Sequence, residues 1–238
     1  MSLSSNTVVV MVVAVAAIIA LVVFIMGNAG HSPVHPQVVA HRGGALLAPE
    51  NTLVAFSRAV DHHVDSIELD VHLSRDGQIV VIHDPELQRL TGQEVEVSDY
   101  TYADLQVFGV SVAKGAPSLY GIQPIPLLSQ VLAILPHAVG LQVEIKVRSD
   151  GSRYQDIEEK VLSMLEQGGF LERTLFISFD FPTLERLKEL NPSVRTGALV
   201  SKAYMTQVGA GGPDRIIADM KKLHADYLCI NHTYLTST

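Results

Sequence analysis

The sequence predicts an α/β fold built on a parallel sheet, and three observations carry that prediction. Strand-like and helix-like segments alternate along most of the chain, the pattern of parallel strands joined by crossover helices. Inside two of the strand-like segments, charged residues stand at every second position between aliphatic ones. The 238 residues suffice for one domain with a substantial core.

Val38 to His41 is the first strand candidate, and Asn51 to His62 reads as a helix with Leu53, Phe56 and Val60 on one side. Glu68 to Leu73 forms the second strand. Within Ser66-Ile67-Glu68-Leu69-Asp70-Val71 the three aliphatic residues point one way and the two carboxylates the other. Leu141 to Val147 repeats the pattern as the third strand, with Glu144 and Lys146 sharing a face. A helix follows from about Tyr154 to Glu166, stopped by Gly168-Gly169. Thr174 to Phe179 is the fourth strand, and Pro182 opens a helix that Pro192 ends. Thr196 to Val200 and Asp226 to Ile230 complete six strands, with a helix around Arg215 to His224 between them. Between His83 and Leu141 the rhythm breaks, so that stretch reads as an insertion of about residues 85–125.

Acidic side chains lining the inside of a sheet are costly unless positive charge meets them. A divalent cation is the expected partner, and the chain reads as an enzyme. Arg75-Asp76-Gly77-Gln78 reads as a hairpin turn, with Asp-Gly supplying positive φ. With Asp76 and Gly77 as a two-residue loop, Asp70 would lie directly across from His83 on one face. His72 is read as a rim residue nearer the turn, and Asp84 as a residue that orients its loop.

The net charge of −8 with 17 basic residues and no basic stripe argues against a nucleic-acid surface. The single cysteine, Cys229, excludes a disulfide framework and reads as a small apolar strand residue. Val8 to Met26 is an unbroken apolar run of 19 residues, ~28 Å long as a helix and near the thickness of a bilayer core. Residues 1–7 contain no Lys or Arg, so the run reads as an uncleaved single-pass anchor with residues 27–37 as a linker, while the small residues Asn28-Ala29-Gly30 offer a cleavage site as the alternative. Membrane localisation through this helix is expected, on an unreadable side, since the first basic residue of either flank is Arg42.

Five motifs occur in fixed order: His41-Arg42-Gly43-Gly44, Pro49-Glu50-Asn51-Thr52, Glu68-Leu69-Asp70-Val71, His83-Asp84-Pro85 and Glu144-Ile145-Lys146. In this the chain resembles the glycerophosphodiester phosphodiesterases over about residues 38–232, and Ser178-Phe179 fits as well. The stretch from Leu90-Thr91-Gly92 to Ser98-Asp99 is similar to membrane-anchored members that act as lysophospholipases D. The resemblance implies a TIM barrel with a small inserted subdomain and a Ca2+ or Mg2+ ion held by Glu68, Asp70 and Glu144. Oxygen-only ligands agree with a hard cation. It also implies that His41 and His83 serve as general acid and base. Arg42 should neutralise the phosphodiester oxygens. Lys146 should add positive charge near the phosphate or orient Glu144, and Glu50 should contact the metal or position another ligand.

A closed barrel of this kind needs eight strands, and six are visible. The family's later strand with Trp-Thr-Val-Asn has no counterpart, and the chain contains no Trp. The domain of residues 38–238 is therefore expected to lack its last two strands. The leading function is hydrolysis of glycerophosphodiesters to glycerol 3-phosphate and an alcohol. The alternatives are a lysophospholipase D producing lysophosphatidic acid, and an inactive, truncated barrel acting as a binding partner.

Overall fold

The computed structural model describes residues 36–110 and 120–234 of the chain. Alternation of residue type builds its sheet. After the two-residue β1 (Val39–Ala40) comes α1 (Leu53–Asp61), and then β2 (Ser66–Leu73), where Ile67, Leu69 and Val71 enter the main hydrophobic core. Glu68, Asp70 and His72 take the other face of β2 and are buried too. β3 (Ile79–Val81) returns antiparallel beside the end of β2. The insertion carries two short helices, α2 (Gln88–Thr91) and α3 (Tyr102–Leu105). α4 (Leu128–Ile134) leads into β4 (Gly140–Ile145), which pairs in parallel with β2 so that Asp70 and Glu144 are neighbours.

The remaining units are α5 (Ile157–Gln167), β5 (Thr174–Ser178), α6 (Phe181–Leu190), β6 (Arg195–Leu199), α7 (Lys202–Val208), α8 (Gly212–Lys222) and β7 (Tyr227–Cys229). Six parallel strands run in the order β1-β2-β4-β5-β6-β7. They form a curled, TIM-barrel-like half-barrel, and among the described residues β1 and β7 each have a single strand partner. Phe56, Leu128, Val131, Val161, Leu165, Leu184 and Leu187 pack the helices against the outer face. The inner face is divided. β2 and β4 present carboxylates there, whereas Ile177 and Cys229 meet at Gly197, where a Cβ would stand 3.0 Å from both side chains. The insertion has an apolar cluster of its own, in which Leu87, Leu90, Val97, Leu105 and Ile125 pack with Val80 and Ile82.

Local chemistry sets the helix boundaries. α1 starts later than the sequence suggests because Asn51 is left-handed, at φ +55°, and the Thr52 hydroxyl accepts from the Ala55 amide at 3.3 Å. Asp156, at φ +57°, likewise delays α5, and Tyr154 is a buried residue outside it. Asp180 caps α6 by accepting from the Thr183 amide at 3.0 Å. α7, begun by the Ser201 hydroxyl, was not among the predicted elements.

Two expectations are corrected. The hairpin pairs His72 with Val80 and Leu73 with Ile79, so Asp70 faces Ile82 and not His83. The loop has three residues, Arg75 to Gly77. The Gly77 amide donates to the Ser74 carbonyl at 2.8 Å, the Ser74 amide to the Gln78 carbonyl at 3.1 Å, and Gly77 takes φ +74°. This is the three-residue turn that ends in a left-handed glycine. The single-pass membrane localisation is also corrected: among the described residues no helix is long and apolar enough to cross a membrane. The 8–26 run that suggested it lies outside the described residues.

Candidate active site

The turn after β1 brings the first group of functional residues together. Arg42, Gly43 and Gly44 are successively left-handed, at φ +52°, +73° and +87°. A Cβ on Gly43 would stand 2.7 Å from the Phe56 ring, so this position requires glycine. The turn directs the Arg42 amide at Glu68, donating to Oε2 at 2.7 Å. Arg42 is a non-glycine residue in an unfavourable backbone region. The Asn51 amide closes the turn by donating to the Arg42 carbonyl at 2.9 Å.

Glu68, Asp70 and Glu144 offer carboxylate oxygens within 4.8 Å of one another, and all three are buried. Asn51 Nδ2 donates to Asp70 Oδ2 at 2.8 Å. Lys146 Nζ donates to Glu144 Oε1 at 2.6 Å and lies 3.0 Å from Asp70 Oδ1, close enough for an ion pair. Asp70 Oδ1 nevertheless has no hydrogen-bond partner. Burial, reinforced by the charge of Asp70, pushes the Glu68 carboxyl up to about 8. Burial also raises Glu144, with Lys146 opposing. At Asp70 burial is outweighed, chiefly by the Lys146 charge, and its carboxyl stays below the ordinary range. The donor set fits a hard divalent cation: three carboxylate oxygens, one of them lacking a donor.

His41 follows β1 directly and is exposed. Partial burial and the neighbouring Arg42 charge hold its imidazole below the usual value. His83 reaches the site although its expected register does not exist, because the chain leaves the strand after Val81. Its Nδ1 donates to Asp84 Oδ1 at 2.5 Å. His72, expected at the rim, is fully buried between the Tyr154 hydroxyl at 2.8 Å and the His83 carbonyl at 3.1 Å. Tyr154 and His83, from beyond β4 and β3, close over that position, which nothing in the spacing of β2 could reveal.

Glu50 stands outside the carboxylate cluster. It accepts from Arg42 Nη1 at 3.0 Å and from both terminal nitrogens of Arg89. Burial alone would raise its carboxyl, but the Arg89 and Arg42 contacts keep it below the ordinary range. Arg89 and Asn51 are the site residues that sequence reasoning missed. Asn51 was visible as the left-handed-tolerant residue of its motif; Arg89 gave no signal by spacing. A cavity of about 280 Å³ opens beside His83, Glu144 and Lys146. A larger one, about 940 Å³, adjoins His41, and Phe179 borders both.

Buried carboxylates at the working face of a half-barrel, flanked by two imidazoles, a guanidinium and an ammonium, define a hydrolase for anionic esters. Comparison with known proteins narrows that class. Residues 41–229 match the glycerophosphoryl diester phosphodiesterase family. The glycerophosphodiester phosphodiesterase of Bacillus altitudinis is 36% identical over 209 residues, covering 80% of this chain and 82% of its own. YhdW of Bacillus subtilis is 38% identical over 199 residues, 83% of this chain and 77% of that protein. Among solved structures, a phosphodiesterase of Oleispira antarctica in complex with its product sn-glycerol 3-phosphate superposes with a TM-score of 0.64 at 26% identity, over 84% of this chain and 77% of that one. The chain belongs to the glycerophosphoryl diester phosphodiesterase family and is a phosphoric diester hydrolase.

Proposed function

We propose that this chain hydrolyses glycerophosphodiesters to glycerol 3-phosphate and an alcohol, with Glu68, Asp70 and Glu144 holding a Ca2+ or Mg2+ ion. The observation that carries the reading is the buried three-carboxylate cluster set among His41, His83, Arg42 and Lys146. When bound, the cation supplies positive charge to a nonbridging phosphate oxygen. Arg42 and Lys146 balance the remaining phosphate charge and hold the diester in line. His41, kept neutral by burial and Arg42, takes a proton from the attacking water as the water oxygen bonds to phosphorus. His83, entering the step with both ring nitrogens protonated, gives its Nε2 proton to the departing alkoxide as the second phosphorus–oxygen bond breaks and keeps the Nδ1 proton on Asp84.

Choline release from glycerophosphocholine tests this, first with calcium or magnesium and then with a chelator. Activity should need the cation and disappear in His41→Ala. A folded chain that releases nothing under any of these conditions would sink the reading in favour of the inactive barrel. A second reading, lysophospholipase D activity, is favoured by the larger cavity. Phe179, Leu199, Val200 and Ile230 line it beside Lys202 and Asn231, and among the described residues no carboxylate does, which leaves an apolar wall for an acyl chain. Faster turnover of lysophosphatidylcholine than of glycerophosphocholine would select it.

A further inference from the structure

Asp84 lies beside the site without belonging to the cation cluster, and what holds it is a residue of the insertion. Arg89 donates from Nη2 and Nη1 to the two oxygens of Glu50, at 2.6 and 2.9 Å, and from Nε to Asp84 Oδ2. The three contacts engage each nitrogen of the planar guanidinium once. Glu50 is buried, fixed by the turn between β1 and α1, and so provides a firm anchor. On the other side of Arg89, Leu87 and Leu90 lie in the insertion's own apolar cluster at 0% and 2% exposure. A chain of contacts therefore runs from Glu50 through Arg89 and Asp84 to His83 Nδ1.

The contacts also serve the fold, since Glu50 is 5% exposed against 41% for Arg89, but Arg42 Nη1 still meets Glu50 when Arg89 is lost. Their geometric effect is larger. With Nε engaged, Asp84 keeps one carboxylate orientation, Oδ1 toward His83 Nδ1, and that bond retains the Nδ1 proton, so that Nε2 is the nitrogen that gives its proton up. Without Arg89, Asp84 would be free to rotate toward solvent and the ring to exchange its tautomer.

We propose that Arg89 is a positioning residue for hydrolysis: anchored on Glu50, it holds Asp84 so that His83 keeps Nδ1 protonated and Nε2 turned to the phosphodiester. The insertion then contributes to turnover through one side chain that touches no substrate. This rests on the role given to His83 above.

The test uses the full chain with calcium or magnesium, glycerophosphocholine as substrate, and the variants Arg89→Gln, Arg89→Lys, Arg89→Gly and Asp84→Asn. Arg89→Gln should lower kcat by roughly tenfold or more, the usual loss when a supporting contact is removed, with KM changed by less than about threefold. Arg89→Lys should recover little, because one ammonium cannot serve both carboxylates. Millimolar guanidinium should restore turnover to Arg89→Gly and leave the wild type unaffected. Combining Arg89→Gln with Asp84→Asn should add little to the loss from Asp84→Asn alone. Nitrogen-15 spectra of the His83 ring should show Nδ1 protonated in the wild type and mixed tautomers in Arg89→Gln and Arg89→Lys. Unchanged kcat with an unchanged His83 spectrum overturns the proposal, as does full additivity or a loss confined to KM. The spectra need no turnover, so a wild type without activity would remove the functional reading while Arg89 is still decided by the tautomer.

Discussion

His72 shows how much a single buried group can impose. A carbonyl only accepts, so Nε2 must carry the proton given to the His83 carbonyl, and Nδ1 must accept from the Tyr154 hydroxyl. The ring is neutral, and burial pushes it down to about 4. The unfolded chain, with a histidine near 6.5, binds the proton more readily than the folded one. Stability is therefore complete above about pH 6.5 and is lost as pH falls toward 4, by about 3 kcal/mol at most. Urea titrations between pH 7 and 4 should show that loss, and His72→Gln should flatten the slope; equal slopes would contradict it. Asp70 makes a second case. Asp70→Asn keeps the shape but removes one of the two carboxylate charges that meet Lys146, and calorimetry should find cation affinity reduced by more than about tenfold. These two residues were partly legible, since period-two spacing put both on the face of Glu68. Arg89 was not, because its partners lie 5 and 39 positions away and only the packing of the insertion brings them together.

At the level of elements, the strands were easier to read than their pairing. Aliphatic residues at 67, 69, 71, 141, 143 and 145 fix which face of β2 and β4 is covered by helices, and any other register would bury the wrong set. The hairpin had no such safeguard. Asp76-Gly77 suits a two-residue turn and a three-residue turn equally, and Val80, Val81 and Ile82 are all apolar, so both faces of β3 could be buried. They are, in different clusters: Val81 in the main core, Val80 and Ile82 in that of the insertion. The left-handed Gly77 decides the turn in the structure. Gly77→Ala should destabilise the chain by about 1 kcal/mol, measured as a lower urea midpoint with unchanged m. An alanine tolerated at no cost would show that position 77 does not have positive φ. α7 escaped notice because seven residues are too few for a clear helical period, and its start depends on the Ser201 cap alone.

Over the whole molecule, the cation cluster is also a structural joint. Glu68 and Asp70 come from β2 and Glu144 from β4, neighbouring interior strands of the parallel sheet. Without a cation, burial penalises every negative charge there, and among the described residues the Lys146 ammonium is the one basic side chain that meets two of the carboxylates. The same parallel sheet, with its carboxylates on the inner face, was readable from residue alternation; the insertion's second core was visible only as an interruption in that rhythm. A ligand that binds the folded chain and not the unfolded one stabilises the fold by mass action. At a calcium or magnesium concentration a hundredfold above its dissociation constant the gain is about 2.7 kcal/mol, or roughly 5 °C or more in Tm for a chain of this size. Scanning calorimetry of the full chain should show this rise, its reversal by chelator, and its absence in Glu144→Gln. A Glu144→Gln variant that melts with the same cation dependence as the wild type would place the ion elsewhere. If no cation shifts the melting at all, these carboxylates would be a structural ion-pair network with Lys146 and Arg42.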